Sequence, residues 1–208
     1  MSEKTFLKEI KFTINFLYDR INKKGRINMK EGRIVIITGT PGTGKTTTAQ
    51  IISQKSDLEK SVHLHTDDFY HYLVKGAVAP YLPETAEQNL IVIEAFLESA
   101  KRFVCGGYDV IVDGIIGPWF LEPWIKTAKE NYEVHYIILR ADKKETLKRA
   151  AERKKLNRKT NIQLVEIMWE QFNNLGIYET HIIDTTNLSV EETVSAIKEK
   201  INKKLCLL

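Results

Sequence analysis

A β-branched run, Arg33-Ile-Val-Ile-Ile-Thr38, passes directly into Gly39-Thr-Pro-Gly-Thr-Gly-Lys-Thr46, and that junction confines the chain to a narrow set of folds. The run is too continuously apolar for a strand with one wet face; it reads as a buried parallel strand. The glycines after it let the backbone curl so that successive N–H groups turn inward on an anion. A helix from Lys45 to about Lys55 then points its partial positive charge at the same place. Gly39-x-x-x-x-Gly44-Lys45-Thr46 matches the P-loop pattern in full, with a strand before it and a helix after it. The pattern implies ATP and Mg²⁺. Gly39, Thr40, Pro41, Gly42, Thr43, Gly44, Lys45, Thr46 and Thr47 would surround the phosphates, with Lys45 reaching the β- and γ-phosphates and the Thr46 hydroxyl on the metal. It specifies the nucleoside triphosphate and leaves the reaction open.

Strands and helices alternate from Arg33 onward. Further strands are expected at Ser61–Thr66, Asp109–Asp113, Val134–Leu139 and around His181–Asp184. Thr85-Ala-Glu-Gln88 has the form of a capping box opening a long helix that Gly106-Gly107 closes. Asp142 with Glu145 caps a helix carrying Leu147, Ala150 and Ala151, and another helix lies near Ile162–Asn174. Ser189 and Glu192 box a C-terminal helix whose stripe is Val190, Val194, Ile197, Ile201 and Leu205. Five strands alternating with helices imply an α/β domain with a parallel sheet covered on both faces. That domain spans residues 31–208. Residues 1–30 form an extension with Leu7, Ile10, Ile14, Leu17 and Ile21 at spacings of three and four, an amphipathic helix ended near Gly25. It suits packing on the domain surface, with a membrane-surface or partner helix as the alternative, and Met29 as a second possible start.

Ligands of open parallel sheets gather beyond the carboxyl ends of the strands. Two strands end there in aspartate: Asp67-Asp68 after Val62–Thr66, and Asp113 after Val110–Val112. A phosphoryl-transfer enzyme needs one carboxylate in the metal shell and one to accept the acceptor's hydroxyl proton. Asp67 is the candidate base and Asp113, with Thr46, the candidate metal ligand; the roles are exchangeable, and Asp67 or Asp68 also suits a helix cap. Arg149 and Arg153 lie four residues apart on one helix face, and Arg158 follows in the basic stretch Lys154–Lys159. Such arginines can neutralise the moving phosphoryl group, or simply form a solvated basic face. Candidate acceptor-side segments are Phe69–Leu73 with the loop Lys75–Glu84, and Gly114–Trp124 with Trp119, Phe120 and Trp124. For Phe120, Trp124 and Trp169, core packing is the competing reading, and for His63 and His65 a structural role within a strand.

The formal net charge of +4 over 208 residues suits a handler of phosphates but falls short of a nucleic-acid-binding signature. Cys105 and Cys206 form neither a CxxC pair nor a Cys/His cluster, so zinc and a disulfide framework are not indicated. The longest apolar runs are strand-length, and no signal-peptide pattern opens the chain. The expected compartment is the cytoplasm.

From Arg33 to the C-terminus the chain resembles the P-loop small-molecule kinases, a group that includes chloramphenicol phosphotransferase-like, gluconate kinase-like and zeta-toxin-like proteins, often described as AAA-type ATPases. The resemblance rests on Gly39–Thr46, His65-Thr-Asp-Asp-Phe-Tyr70, Val110-Ile-Val-Asp-Gly114 and Leu139-Arg-Ala-Asp142 with Arg149 and Arg153. It implies a three-layer P-loop fold with a five-stranded sheet in order 2-3-1-4-5, Asp67 as base, and phosphate-contacting arginines among Arg149, Arg153 and Arg158. The Asp-Asp-Phe-Tyr segment also looks like uridine and nicotinamide riboside kinases. The implied activity is transfer of the ATP γ-phosphate to a hydroxyl of a small molecule. A nucleoside or nucleotide kinase, or a P-loop ATPase driving a protein partner, are the alternatives.

Overall fold

Because its side chains are apolar on both faces, β1 (Arg33–Gly39) lies at the centre of the sheet. In the computed structural model, which describes residues 32–152 and 158–208, Ile34, Val35, Ile36 and Ile37 have no exposed surface. Full burial of such a side chain contributes about 1.5–3 kcal/mol. β2 (Lys60–His65), β3 (Tyr108–Asp113), β4 (Val134–Arg140) and β5 (Ile182–Asp184) complete the sheet. Every pairing is parallel, as the strand–helix alternation led us to expect, and the order β2-β3-β1-β4-β5 is the one the family resemblance implied.

The helices are α1 (Lys45–Gln54), α2 (Thr66–His71), α3 (Ala86–Val104), α4 (Glu122–Lys129), α5 (Lys143–Ala151), α6 (Arg158–Gln171) and α7 (Val190–Asn202). Successive strand side chains point to opposite faces, which divides the core in two. Ile34, Ile36, Val110, Val112 and Ile138 pack with Phe96 and Leu97 of α3 and Trp124 of α4. Val35, Ile37, Ile111 and Ile137 pack with Ala49 and Ile52 of α1 and Ile197 and Ile201 of α7. The result is three layers around a P-loop sheet.

Two of the three expected caps form. The Asp142 carboxylate accepts the Glu145 N–H at 2.7 Å. Ser189 Oγ accepts the Glu192 N–H at 3.2 Å, and the Glu192 carboxylate accepts the Ser189 N–H at 2.8 Å. The box expected at Thr85 does not form. A 3₁₀ turn, Pro83–Thr85, precedes α3, and the Thr85 hydroxyl donates to the Leu82 carbonyl at 2.6 Å. The Gln88 amide meanwhile closes on the Val78 backbone, accepting its N–H at 2.9 Å and donating to its carbonyl at 2.8 Å. The preceding loop has backbone groups of its own to satisfy, and it claims both side chains.

The stripe of α7 is shorter than its spacing suggests. Val194, Ile197 and Ile201 are buried, while Val190 and Leu205 are exposed. The helix ends at Asn202, Lys204 turns with φ of 52°, and the tail returns along β4. There the Tyr136 N–H donates to the Cys206 carbonyl at 2.7 Å and the Leu208 N–H to Val134 at 3.0 Å. The amphipathic helix expected within residues 1–30 lies outside the described residues.

Candidate functional site

The glycine loop leaves β1 at its carboxyl end, and backbone conformation explains its composition. Gly39 has φ of 138°, and a Cβ there would lie 2.0 Å from the Leu139 carbonyl oxygen. Gly44 opens α1 in the left-handed region, with φ of 89°, and accepts the Thr48 N–H at 2.9 Å. Lys45 Nζ donates to the Thr40 carbonyl at 2.9 Å, as does Thr43 Oγ1 at the same distance. The ammonium therefore folds back onto the loop. Thr40, Gly42, Thr43 and Lys45 are buried, Pro41 and Gly44 half-buried, and Thr46 and Thr47 exposed.

Register then decides what meets the loop. Asp113 ends β3 opposite Ile37 of β1 on one side and His65 of β2 on the other. Its carboxylate is fully buried. Oδ2 accepts the Thr46 hydroxyl at 2.5 Å. Oδ1 meets His63 Nε2 at 2.7 Å and His65 Nδ1 at 3.0 Å. Burial alone would raise the Asp113 pKa, but these bonds from His63, His65 and Thr46 hold it well below the usual carboxylate range. The same bond, working against burial, pushes His65 up to about 9. An ionised Asp113 carboxylate beside the Thr46 hydroxyl is a pair of oxygen donors that would suit a hard cation such as Mg²⁺. Among the described residues no group of three or more His, Cys, Asp or Glu side chains forms a separate metal cluster.

Asp67 and Asp68 lie in the first turn of α2, and neither caps it. Asp67 is exposed, with Oδ2 3.5 Å from His65 Nε2. Burial, and then the Asp67 charge, raise the pKa of the neighbouring Tyr70 hydroxyl. The start of α2 is pinned against the end of β3. A Cβ on Gly114 would lie 1.9 Å from Thr66 Oγ1. Only glycine allows that approach, which brings Asp113 and the Asp67 turn to one edge of the sheet.

Arg149 runs beside the loop: a Cβ on Gly42 would lie 3.5 Å from the Arg149 Cβ. Its guanidinium is tied to Glu145 at 2.8 Å and to the Thr185 and Thr186 carbonyls at 3.2 and 3.3 Å. Arg153 and the side chain of Arg158 lie outside the described residues. On the acceptor side, Trp124 is fully buried and belongs to the core, whereas Trp119 is 48 % exposed and meets Phe172 edge-on at 5.4 Å. Trp169 Nε1 donates to the Ala141 carbonyl at 3.0 Å. A cleft of about 370 Å³ opens between the loop after α2 and the first turns of α3, lined by Leu73, Lys75, Val78, Glu87, Gln88 and Ile91 among others.

Sequence reasoning treated His63 and His65 as structural strand residues and missed their contact with Asp113. The signal was available. Two histidines two apart share a face of β2, and the order 2-3-1 makes β3 its neighbour.

A family model described as an AAA domain matches residues 35–169. The chain belongs to this AAA-domain family. The match takes in the glycine loop, both strand-end carboxylates and Arg149, and it ends within α6. No curated protein matches the chain in sequence. Among solved structures, this AAA-domain chain is similar to the Deinococcus radiodurans tunicamycin resistance protein, at 21% identity and a TM-score of 0.58, covering 85% of this chain and 98% of that one. A gluconokinase from Sinorhizobium meliloti 1021 is similar at 14% identity and a TM-score of 0.58, covering 84% and 94%. The Mycobacterium tuberculosis APS kinase, solved with AMPPNP and APS, is similar at 14% identity and a TM-score of 0.62, covering 83% and 98%. At such identities the likeness speaks for a shared fold.

Proposed function

We propose that this chain is a phosphotransferase that moves the γ-phosphate of Mg-ATP onto a hydroxyl of a small molecule. The observation that carries the reading is the pair of carboxylates beyond the ends of β2 and β3, one buried against Thr46 and the other exposed in the turn that Thr66 opens against Gly114. In this reading the nine residues Gly39–Thr47 cradle the phosphates, and Thr46 and Asp113 hold Mg²⁺, which when bound would neutralise charge on the phosphate oxygens. Asp67 takes the acceptor's O–H proton as the new O–P bond forms and the bond from phosphorus to the ADP oxygen breaks. Lys45, Arg149 and Arg153 offset charge on the moving group, with Arg158 a further phosphate contact. Arg149 would first exchange the Thr185 and Thr186 carbonyls for phosphate or nucleotide.

The cleft between Leu73 and Ile91 is the proposed seat of the acceptor. Apolar walls with Lys75, Glu87 and Gln88 at hand suit a polyhydroxyl molecule with an apolar portion. The gluconokinase and APS kinase neighbours support a kinase reading at the level of fold. Cys105 and Cys206 are both free thiols, in keeping with the proposed cytoplasmic location. Among the described residues no helix is long and apolar enough to cross a membrane.

Replacing Asp67 by Asn tests the assignment. ATP binding should persist, while acceptor-dependent ADP release across a panel of sugars, nucleosides and antibiotics should fall by about 10²–10⁴-fold. Full transfer by Asp67→Asn would remove Asp67 from the role. One rival is a P-loop ATPase acting on a protein partner. It predicts turnover that ignores every small acceptor and responds to that partner.

A further inference from the structure

We propose that His65 is a positioning residue that ties the two carboxylates together, its Nδ1 holding Asp113 in the orientation that serves Thr46 and its Nε2 holding Asp67. The inference rests on the phosphotransferase reading and adds a third group to it, one that acts through the two aspartates.

The geometry distinguishes the two histidines of β2. His63 reaches Asp113 Oδ1 with Nε2 at 2.7 Å and, among the described residues, bridges to no second carboxylate. His65 reaches the same oxygen with Nδ1 at 3.0 Å, shares that nitrogen with the Asp113 carbonyl at 3.2 Å, and sets Nε2 3.5 Å from Asp67 Oδ2. The last distance is within ion-pair reach, though long for a hydrogen bond.

A carboxylate has two oxygens and can rotate about its Cβ–Cγ bond. Two ring nitrogens on Oδ1 remove that freedom and leave Oδ2 for the Thr46 hydroxyl. Asp67 has the opposite problem. It is exposed on the first turn of a six-residue helix, with several rotamers open to it. The ring, planar and held to Asp113 of β3 by Nδ1–H, offers Asp67 one preferred direction through an N–H at Nε2. A rigid ring therefore transmits the position of the sheet edge to both carboxylates at once. Partners that orient a metal-shell ligand in this way are worth about 10–100-fold in metal affinity.

The two arms separate chemically. Asn at position 65 places an amide N–H near the place of Nδ1 and has nothing at Nε2; Gln places one near Nε2 and has nothing at Nδ1. The measurements use the full chain with AMPPNP, a Mg²⁺ titration of its binding, and single-turnover ADP release from Mg-ATP with water as acceptor. His65→Gln should weaken the apparent Mg²⁺ affinity of the AMPPNP complex by about 10–100-fold, with metal-free binding unchanged. His65→Asn should keep that affinity within about threefold and still lose about tenfold or more in ADP release. His63→Asn, which has nothing at the Nε2 place and so loses only a bond to Asp113, should weaken Mg²⁺ affinity only. The proposal is overturned if both His65 variants match the wild type. It is equally overturned if both lose the two properties in parallel with a lower melting temperature, the pattern of a merely structural residue. If the wild-type chain binds AMPPNP with no help from Mg²⁺, the Thr46–Asp113 reading fails first and takes this one with it.

Discussion

Replacing Gly114 by Ala tests the contact that brings the two carboxylates to one edge. The new methyl would lie 1.9 Å from Thr66 Oγ1 and 2.9 Å from Thr66 Cβ and Cγ2, where an ordinary contact needs about 3.4 Å. The end of β3 and the start of α2 must then separate by roughly 3.4 − 1.9 = 1.5 Å, because Thr66 is buried and its side chain has nowhere to swing. Overpacking of this kind costs about 1–3 kcal/mol. For a chain of this length each kcal/mol lowers the melting temperature by about 2–4 °C, so a fall of about 2–12 °C is expected. Function should suffer more than stability. A misplacement of about 1 Å between reacting groups is worth roughly 10²-fold in rate. Differential scanning fluorimetry and single-turnover ADP release read the two effects. The double variant Gly114→Ala/Thr66→Gly moves the missing side chain to the other wall of the contact and should recover most of both. If Gly114→Ala melts and turns over like the wild type, or if the double variant folds but recovers nothing, the close approach does not position the site.

Two further outcomes follow from groups away from that contact. Arg33 donates to both oxygens of the fully buried Asp109, each at 2.9 Å, and also pairs with Asp57, bonds that outweigh burial and raise the guanidinium pKa. Arg33→Met strands the Asp109 charge and should cost about 3–5 kcal/mol in urea unfolding, whereas Arg33→Met/Asp109→Asn should recover more than half; equal losses would refute the pairing argument. Burial lowers the pKa of His135 against the pull of Glu133, and burial lowers that of His181 against its bond to the Tyr136 carbonyl. Their folded pKa values lie below the unfolded value of about 6.5, so the unfolded chain binds more protons below that pH and stability falls as the medium becomes more acidic. His65, raised in the fold, opposes part of this slope near pH 6.5, where the unfolded imidazole is only about half protonated, and adds none toward pH 5. Melting temperature should drop between about pH 6.5 and 5, less steeply for His135→Gln, and a flat profile would contradict the assignment.

Much of the domain was legible without coordinates because its signals are local. An uninterrupted Ile/Val run, a glycine spacing and a cap three residues from its partner each involve neighbours in sequence. Local physics decides them before any tertiary contact forms. The strands, the glycine loop with its helix, and the caps at Asp142 and Ser189 are of this kind, whereas the strand order came with the family resemblance. Thr85 and Gln88 show where local pattern loses. Their spacing was right for a box, but a loop packed above α3 competed for the same side chains. Val190 and Leu205 show the same limit: Val190 is exposed in the first turn of α7, and Leu205 lies beyond the turn at Lys204 that follows its end.

The sequence by itself determined that a strand, a phosphate-shaped loop and a helix follow one another, and that two aspartates stand at strand ends. Only the tertiary structure decided which partners those aspartates have. Residues 46, 63, 65 and 113 are brought into one hydrogen-bonded group by the register of β2 on β3 and of β3 on β1. Register depends on the pairing of whole strands and the burial of both their faces, a long-range property that no window of sequence contains.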